Sequence, residues 1–174
     1  MFFGFGLGML VFGSACSDAA EKETTDETAD QLIHPVMYLT ADKRMQVLEN
    51  SETEPMESIY LNLIERSEAE LRAIDSSDWS ASDHGKNGEI AVFSAFLAWL
   101  HDDEAAADRA LAAMDVLDDN WGDHVGWGIN IRMPATLLHY TAAWDFLMAT
   151  PYLSAEDSAE LESKITSITD QFFE

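Results

Sequence analysis

The stretch NWGDHVGWGINIRMPATLLHYTAAWDFLM, from Asn120 to Met148, decides the fold that this sequence predicts. Its first half holds two tryptophans and three glycines and is predicted to be a loop. From Met133 onward the residues are apolar on almost every face, and Pro134 fits the first turn of a helix, where its missing N–H costs no hydrogen bond. A helix that is apolar all round is expected to be buried in a core.

The loop at the start of this stretch has two possible roles. Asn130 and Arg132 come just before the predicted helix N-terminus, where free N–H groups and the helix dipole favour an anion. The Arg132 guanidinium suits a carboxylate or a sulfate, and Trp121 and Trp127 offer flat apolar faces beside it. The loop could therefore hold a charged sugar. It could equally be a plain connection whose tryptophans pack in the core, with Arg132 in a structural ion pair.

Outward from this stretch the whole chain predicts helices, because Ala, Leu, Glu and Met dominate and strict two-residue alternation is absent. Thr40 and Ser154 are predicted N-caps. The predicted helices are Ala41–Glu49, Glu54–Ile74, Gly88–His101, Asp103–Asp119, Met133–Met148 and Ser154–Phe173, and Asp75–Asn87 is predicted to be a loop. The inward stripe expected for the second helix is Met56, Ile59, Tyr60, Leu63, Ile64, Leu71 and Ile74.

The last four predicted helices alternate in character. Gly88–His101 and Met133–Met148 are apolar nearly all round, whereas Asp103–Asp119 and Ser154–Phe173 are amphipathic. Helices buried on all sides that alternate with helices wet on one side indicate two layers. We therefore expect an all-α fold built as a stack of α-hairpins with a period of roughly 50 residues.

Two segments carry a resemblance to a known group of enzymes. They are GEIAVFSAFLAWLHDDEAAADRALAAMDVLDDNW and NIRMPATLLHYTAAWDFLMATPYLSAEDSAELESKI. Both resemble the N-terminal helices of alginate lyases and heparinase II/III-type polysaccharide lyases. The resemblance covers about Val36 to Glu174 and implies α-hairpins of an incomplete (α/α) toroid. Because the sequence stops inside a predicted helix, we expect the N-terminal part of a larger enzyme.

The resembled enzymes cleave a uronate-containing polysaccharide, such as alginate or a heparin-like chain, by β-elimination. One group neutralises the sugar carboxylate, a base removes the neighbouring proton and an acid protonates the leaving oxygen. Their Asn-His dipeptide does not occur here, so the catalytic residues are unknown and expected beyond Glu174. The candidate substrate-binding residues are Trp121, Trp127, Asn130, Arg132, His139 and Tyr140. Since adjacent helix residues point about 100° apart, one of His139 and Tyr140 is expected to face the cavity while the other packs.

The N-terminus indicates export. Residues Phe2 to Phe12 form an apolar run too short to span a bilayer, and small residues then lead to Cys16, the only cysteine. This resembles a lipoprotein signal over residues 1–16, although no basic residue precedes the run. The alternative is an ordinary secretory signal with a chance cysteine. Residues 17–34 are acidic and polar and are predicted to be a flexible tether, and residues 35–174 are expected to form a partial (α/α) toroid domain. We expect an exported protein whose sole membrane attachment is a lipid at Cys16.

The net charge of the chain limits the classes of molecule that it can bind. The chain carries 33 acidic and nine basic residues, a net charge of −24, which argues against nucleic acid as a partner. It should also repel an acidic polysaccharide, unless the binding cleft is locally positive or salt screens the rest. No metal-binding or phosphate-binding motif is present, and a cluster at Asp118, Asp119, Asp123 and His124 fits none, so no cofactor or metal is predicted. Two rival functions stay open, a non-catalytic glycan-binding lipoprotein and a glycoside hydrolase on an (α/α) toroid.

Overall fold

The computed structural model describes residues 33–73, 81–117 and 132–171, with the backbone alone at positions 81, 82, 132 and 133. Within these ranges the regular structure is helical and no strand occurs. A 3-10 turn at Ala41–Lys43 precedes α1 (Arg44–Ser51), α2 (Met56–Ser67), α3 (Ala81–His101), α4 (Glu104–Asp115), α5 (Arg132–Met148) and α6 (Ala155–Asp170). The predicted all-α class is therefore confirmed. None of the described helices is both long and apolar enough to cross a bilayer.

Helices α3 and α5 form the centre of the described fold and share the most extensive packing between any two elements. A Cβ built at Gly88 would lie 3.2 Å from His139 Cβ, and further along the pair the rings of Trp99 and Phe146 are 5.4 Å apart. The contacts advance in the same direction along both helices, so α3 and α5 run parallel. Their N-termini therefore lie at the same end of the pair.

Tight turns return the chain after each central helix. Helix α4 packs against α3, and α6 packs against α5. Asp103 caps α4 by accepting from Ala105 N at 2.9 Å, and Ser154 caps α6 by accepting from Asp157 N at 3.0 Å. The N-cap predicted at Ser154 is thus confirmed. Thr40 occupies a cap position before the 3-10 turn, but its hydroxyl donates to the Asp42 carboxylate rather than capping a backbone N–H.

The predicted loop at Asp75–Asn87 is wrong from residue 81 onward, because α3 begins at Ala81. Tertiary packing extends the helix. His84 and Asn87 are fully buried, and the Asn87 amide binds the backbone of Arg72 in the preceding segment. Polar residues that look solvated in a sequence are thus internal partners of the fold.

Helix α2 is shorter and less buried than predicted. It ends at Ser67 rather than Ile74, and residues 70–73 are not helical. Two members of its predicted inward stripe, Met56 and Ile59, are exposed, while Tyr60, Leu63 and Ile64 are half-buried. The periodicity predicted a helix correctly, but it could not set how much of the stripe a neighbour covers.

A buried carboxylate joins the N-terminal segment to α5. Asp145 is 2% exposed and accepts from His34 Nδ1 at 2.6 Å, from Val36 N at 2.8 Å and from Met37 N at 2.8 Å. His34, the last residue of the predicted tether, is therefore attached to the helical body. Residues 17–32 of that tether lie outside the described residues.

Candidate functional site

Most of the predicted site lies outside the described residues. Trp121, Trp127, Asn130 and the lipid-attachment candidate Cys16 are among the residues not described. Arg132 is described only by its place as the first residue of α5. Because α3 and α5 are parallel, that place is at the end of the pair where α3 begins. His139 and Tyr140 can be followed to their side chains.

Tyr140 lies in the core between α3 and α5. Its side chain is fully buried, and its hydroxyl donates to the carbonyl oxygen of His84 at 3.3 Å. Burial raises the pKa of the Tyr140 phenol above its ordinary value of 10.0, because the charged phenolate would be poorly solvated. The phenol therefore stays protonated at neutral pH. This geometry favours a packing role for Tyr140 over contact with a sugar.

His139 is the partly exposed member of the adjacent pair. Its Nδ1 is buried and has no hydrogen-bond partner in the described part of the chain. Burial lowers the pKa of the imidazole below 6.5, Glu89 partly opposes this shift, and Arg66 adds to it. The ring is therefore neutral at pH 7, and any contact with a ligand must be made through Nε2.

Three basic residues line a groove between the end of α2 and the start of α3. It has a volume of about 130 Å³ and is lined by Arg66, Ala69, Glu70, Arg72, Lys86, Glu89 and Ile90. We call these seven residues the cationic groove. Three of the nine basic residues of the chain lie here, against two acidic ones, in a protein of net charge −24. The groove therefore has a local charge opposite in sign to that of the whole molecule.

Contacts on either side of the groove hold the Arg66 side chain and the backbone at Arg72. Arg66 Nη2 donates to Glu89 Oε2 at 2.5 Å, and its guanidinium carbon lies 5.3 Å from the centre of the Phe93 ring. Arg72 N donates to Asn87 Oδ1 at 2.8 Å, and Asn87 Nδ2 donates to Arg72 O at 2.9 Å. Since the Asn87 side chain is fully buried and uses both of its polar atoms, the backbone at Arg72 is well defined beside α3.

His139 lies next to this groove. A Cβ at Gly88 would meet His139 Nδ1 at 3.5 Å as well as its Cβ, and Gly88 directly precedes the groove residue Glu89. Glu89 and Arg66 are also the two charged groups that act on the imidazole. A larger residue at position 88 would press on the ring, so glycine permits the close approach of α5 here.

Sequence reasoning missed most of the groove. Lys86 falls in the predicted loop Asp75–Asn87, and neither Arg66 nor Arg72 was singled out. A usable signal did exist, since three of the few basic residues fall within 21 positions of an otherwise acidic chain. Their convergence depends on the chain turning back after α2, which helical periodicity does not show.

The chain was also compared with known proteins. No protein-family model matches it, and no curated protein is significantly similar to it in sequence. The function is therefore inferred from the residues of the groove and their surroundings.

Proposed function

We propose that this chain is the N-terminal, acidic-glycan-binding part of a secreted polysaccharide lyase acting on a uronate-containing polysaccharide. One observation carries the proposal. Three of nine basic residues converge on a single groove in a protein of net charge −24. A locally positive cleft is what such a protein needs in order to bind a polyanion.

The order of the helices supports the same proposal. The buried helices α3 and α5 run parallel, and α4 and α6 follow them through tight turns. Successive inner helices of an (α/α) toroid would have this relation. The predicted sugar-binding loop leads into α5 at Arg132, at the end of the helix pair where α3 contributes Lys86 and Glu89 to the groove.

The groove and His139 would contribute to β-elimination in different ways. Arg72 and Lys86 would neutralise the sugar carboxylate, which acidifies the C–H bond beside it. A neutral imidazole can accept that proton. In place of a base beyond Glu174 we propose His139 for this role, because it lies beside the groove and its lowered pKa keeps it unprotonated. As His139 takes the proton, the electron pair of the C–H bond forms a carbon–carbon double bond and the glycosidic C–O bond breaks. The leaving oxygen then takes a proton from solvent water in the open groove.

Binding tests the first part of this proposal. We expect the wild-type chain to bind uronate oligosaccharides and the double variant Arg72→Gln/Lys86→Gln to bind them roughly tenfold more weakly, since each exposed charge contact contributes about 0.2–1 kcal/mol. The matched control is Lys43→Gln/Lys164→Gln, which changes the net charge equally but lies outside the groove. Calorimetric titration at fixed salt gives the affinities. Equal losses in both double variants would mean that only total charge matters, and would contradict a site in the groove.

Cleavage tests the second part. The wild-type chain and His139→Gln are incubated with alginate and with a heparin-like polymer, and the absorbance of the new double bond is followed. We expect product from the wild type and a loss of at least about 100-fold in His139→Gln, the usual range for a general base. Binding without product would favour the non-catalytic glycan-binding lipoprotein. Shorter chains without a double bond would favour a glycoside hydrolase.

A further inference from the structure

We propose that Glu89 is a specificity-determining residue, which restricts the cationic groove to sugar units that carry a single negative charge. The inference rests on the proposed function of the groove and deepens it. It distinguishes uronate units that carry only a carboxylate from uronate units that also carry sulfate.

Glu89 is held firmly inside the groove. Its side chain is 34% exposed, and its Oε2 accepts from Arg66 Nη2 at 2.5 Å. Arg66, on α2, in turn lies over the ring of Phe93, which is on α3 like Glu89. The ion pair is therefore supported by an apolar surface. Glu70, the other acidic lining residue, is exposed and lies in the non-helical segment after α2. Glu89 is therefore the carboxylate that a bound ligand meets in a defined position.

The charges of the lining residues set what the groove can neutralise. Arg66, Arg72 and Lys86 oppose Glu70 and Glu89, which leaves a single net positive charge. One carboxylate matches this charge. A sulfated uronate brings at least one further negative charge close to Glu89, and like charges at short range repel in a partly desolvated site. The groove should thus bind a carboxylate-only unit better than a sulfated one.

The Arg66 side chain and the backbone at Arg72 also have contacts that do not involve Glu89. The backbone at Arg72 is held by the buried Asn87, and Arg66 retains its contact with Phe93. Removing the Glu89 charge would raise the local charge by one and remove the repulsion. The preference for carboxylate-only units should then weaken or reverse.

The test compares two ligands on three proteins. The ligands are a uronate oligosaccharide without sulfate and one of equal length that carries sulfate, and the proteins are the wild type, Glu89→Gln and Glu57→Gln. Glu57 is an exposed residue of α2 outside the groove, so Glu57→Gln controls for net charge. We expect the wild type and Glu57→Gln to prefer the unsulfated ligand by about tenfold, which corresponds to about 1.4 kcal/mol. In Glu89→Gln the affinity for the sulfated ligand should rise about tenfold, while the other affinity changes less than threefold.

A second measurement needs no variant. Because the discrimination is electrostatic, added salt should reduce the preference of the wild type for the unsulfated ligand. A preference that is independent of salt, or is the same in Glu89→Gln and the wild type, would overturn the role of Glu89. If the unsulfated ligand still binds and depends on Arg72 and Lys86, the proposed function survives that result. If the wild type binds neither ligand, the proposed function and this inference fail together.

Discussion

Helices α2 and α3 are both predicted from the sequence, α2 from an apolar stripe and α3 from a segment that is apolar nearly all round, yet they are packed very differently. Helix α3 lies in contact with α2, α4 and α5, and its residues Ala91, Ala95, Ala98 and Leu100 are fully buried. Helix α2 leaves Met56, Ile59 and Leu61 exposed. The small residues of α3 let neighbouring helices approach closely from several directions, whereas α2 has one main neighbour. A helix signal in a sequence therefore does not measure how much stability the helix contributes.

The same substitution, Leu to Ala, should change the free energy of unfolding very differently in these two helices, at Leu100 of α3 and at Leu61 of α2. Leu100 is 0% exposed on α3 and Leu61 is 56% exposed on α2. Loss of buried methyl groups and the resulting cavity should lower the free energy of unfolding by about 2–5 kcal/mol at Leu100. At Leu61 the change should stay within about 0.5 kcal/mol. Denaturant unfolding of both variants gives the two values, and similar losses would contradict the comparison.

Asp145→Asn should test the attachment of the N-terminal segment to α5. The amide replaces an acceptor that binds His34 and two backbone N–H groups, and it presents its own donors to them. We expect a loss of about 1.5–3 kcal/mol in the free energy of unfolding, the range for hydrogen bonds to a charged group. Hydrogen exchange at the amides of Val36 and Met37 should become faster.

The matched control for this substitution is Asp115→Asn at the exposed end of α4, where the change should be within about 0.5 kcal/mol. Unchanged exchange at Val36 and Met37 in Asp145→Asn would show that the segment is held by other contacts.

The smallest expected effect concerns pH. The pKa of His139 is lowered in the folded state by burial, so the unfolded chain takes up its proton first as the pH falls below about 6.5. The free energy of unfolding should therefore decrease from pH 6.5 toward the lower pKa of the folded state. His139→Gln should lose this part of the decrease. Chemical unfolding of both proteins between pH 7 and pH 5 measures how the free energy of unfolding depends on pH. The same dependence in both proteins would mean that the imidazole is as well solvated in the folded state as in the unfolded chain.

Several elements could be predicted from the sequence with small errors. The α5 boundary at Arg132 is one residue from the prediction, and the cap at Ser154 is confirmed. These succeed because caps and periodicity act within one or two helical turns. The predicted helix bounds were wrong at residues 81–87 and at the end of α2, where polar residues are buried inside the fold. His84 and Asn87 look solvated in the sequence, and only the neighbouring α5 and residue 72 explain their burial.

The candidate site also has one part that the sequence predicted and another that it did not. His139 could be selected by residue type, and its place beside Tyr140 predicted that one ring packs while the other is accessible. The cationic groove could not be predicted, because Arg66, Arg72 and Lys86 lie on two helices and the segment between them. A single acidic residue in an apolar helix, such as Asp145, indicates that a polar partner is buried beside it. The sequence does not identify that partner, because His34 is 111 residues away.

The sequence by itself determined that this chain forms helices and that the molecule is strongly acidic, and it located most helix ends to within a few residues, but not the end of α2 or the start of α3. These properties depend on local hydrogen bonding, side-chain periodicity and composition, which neighbouring residues set. Only the tertiary structure decided that α3 and α5 run parallel, that Asp145 holds the segment after His34, and that three scarce cations share one groove. Those outcomes depend on contacts between residues far apart in the chain, where the energy of packing and charge exceeds any local preference.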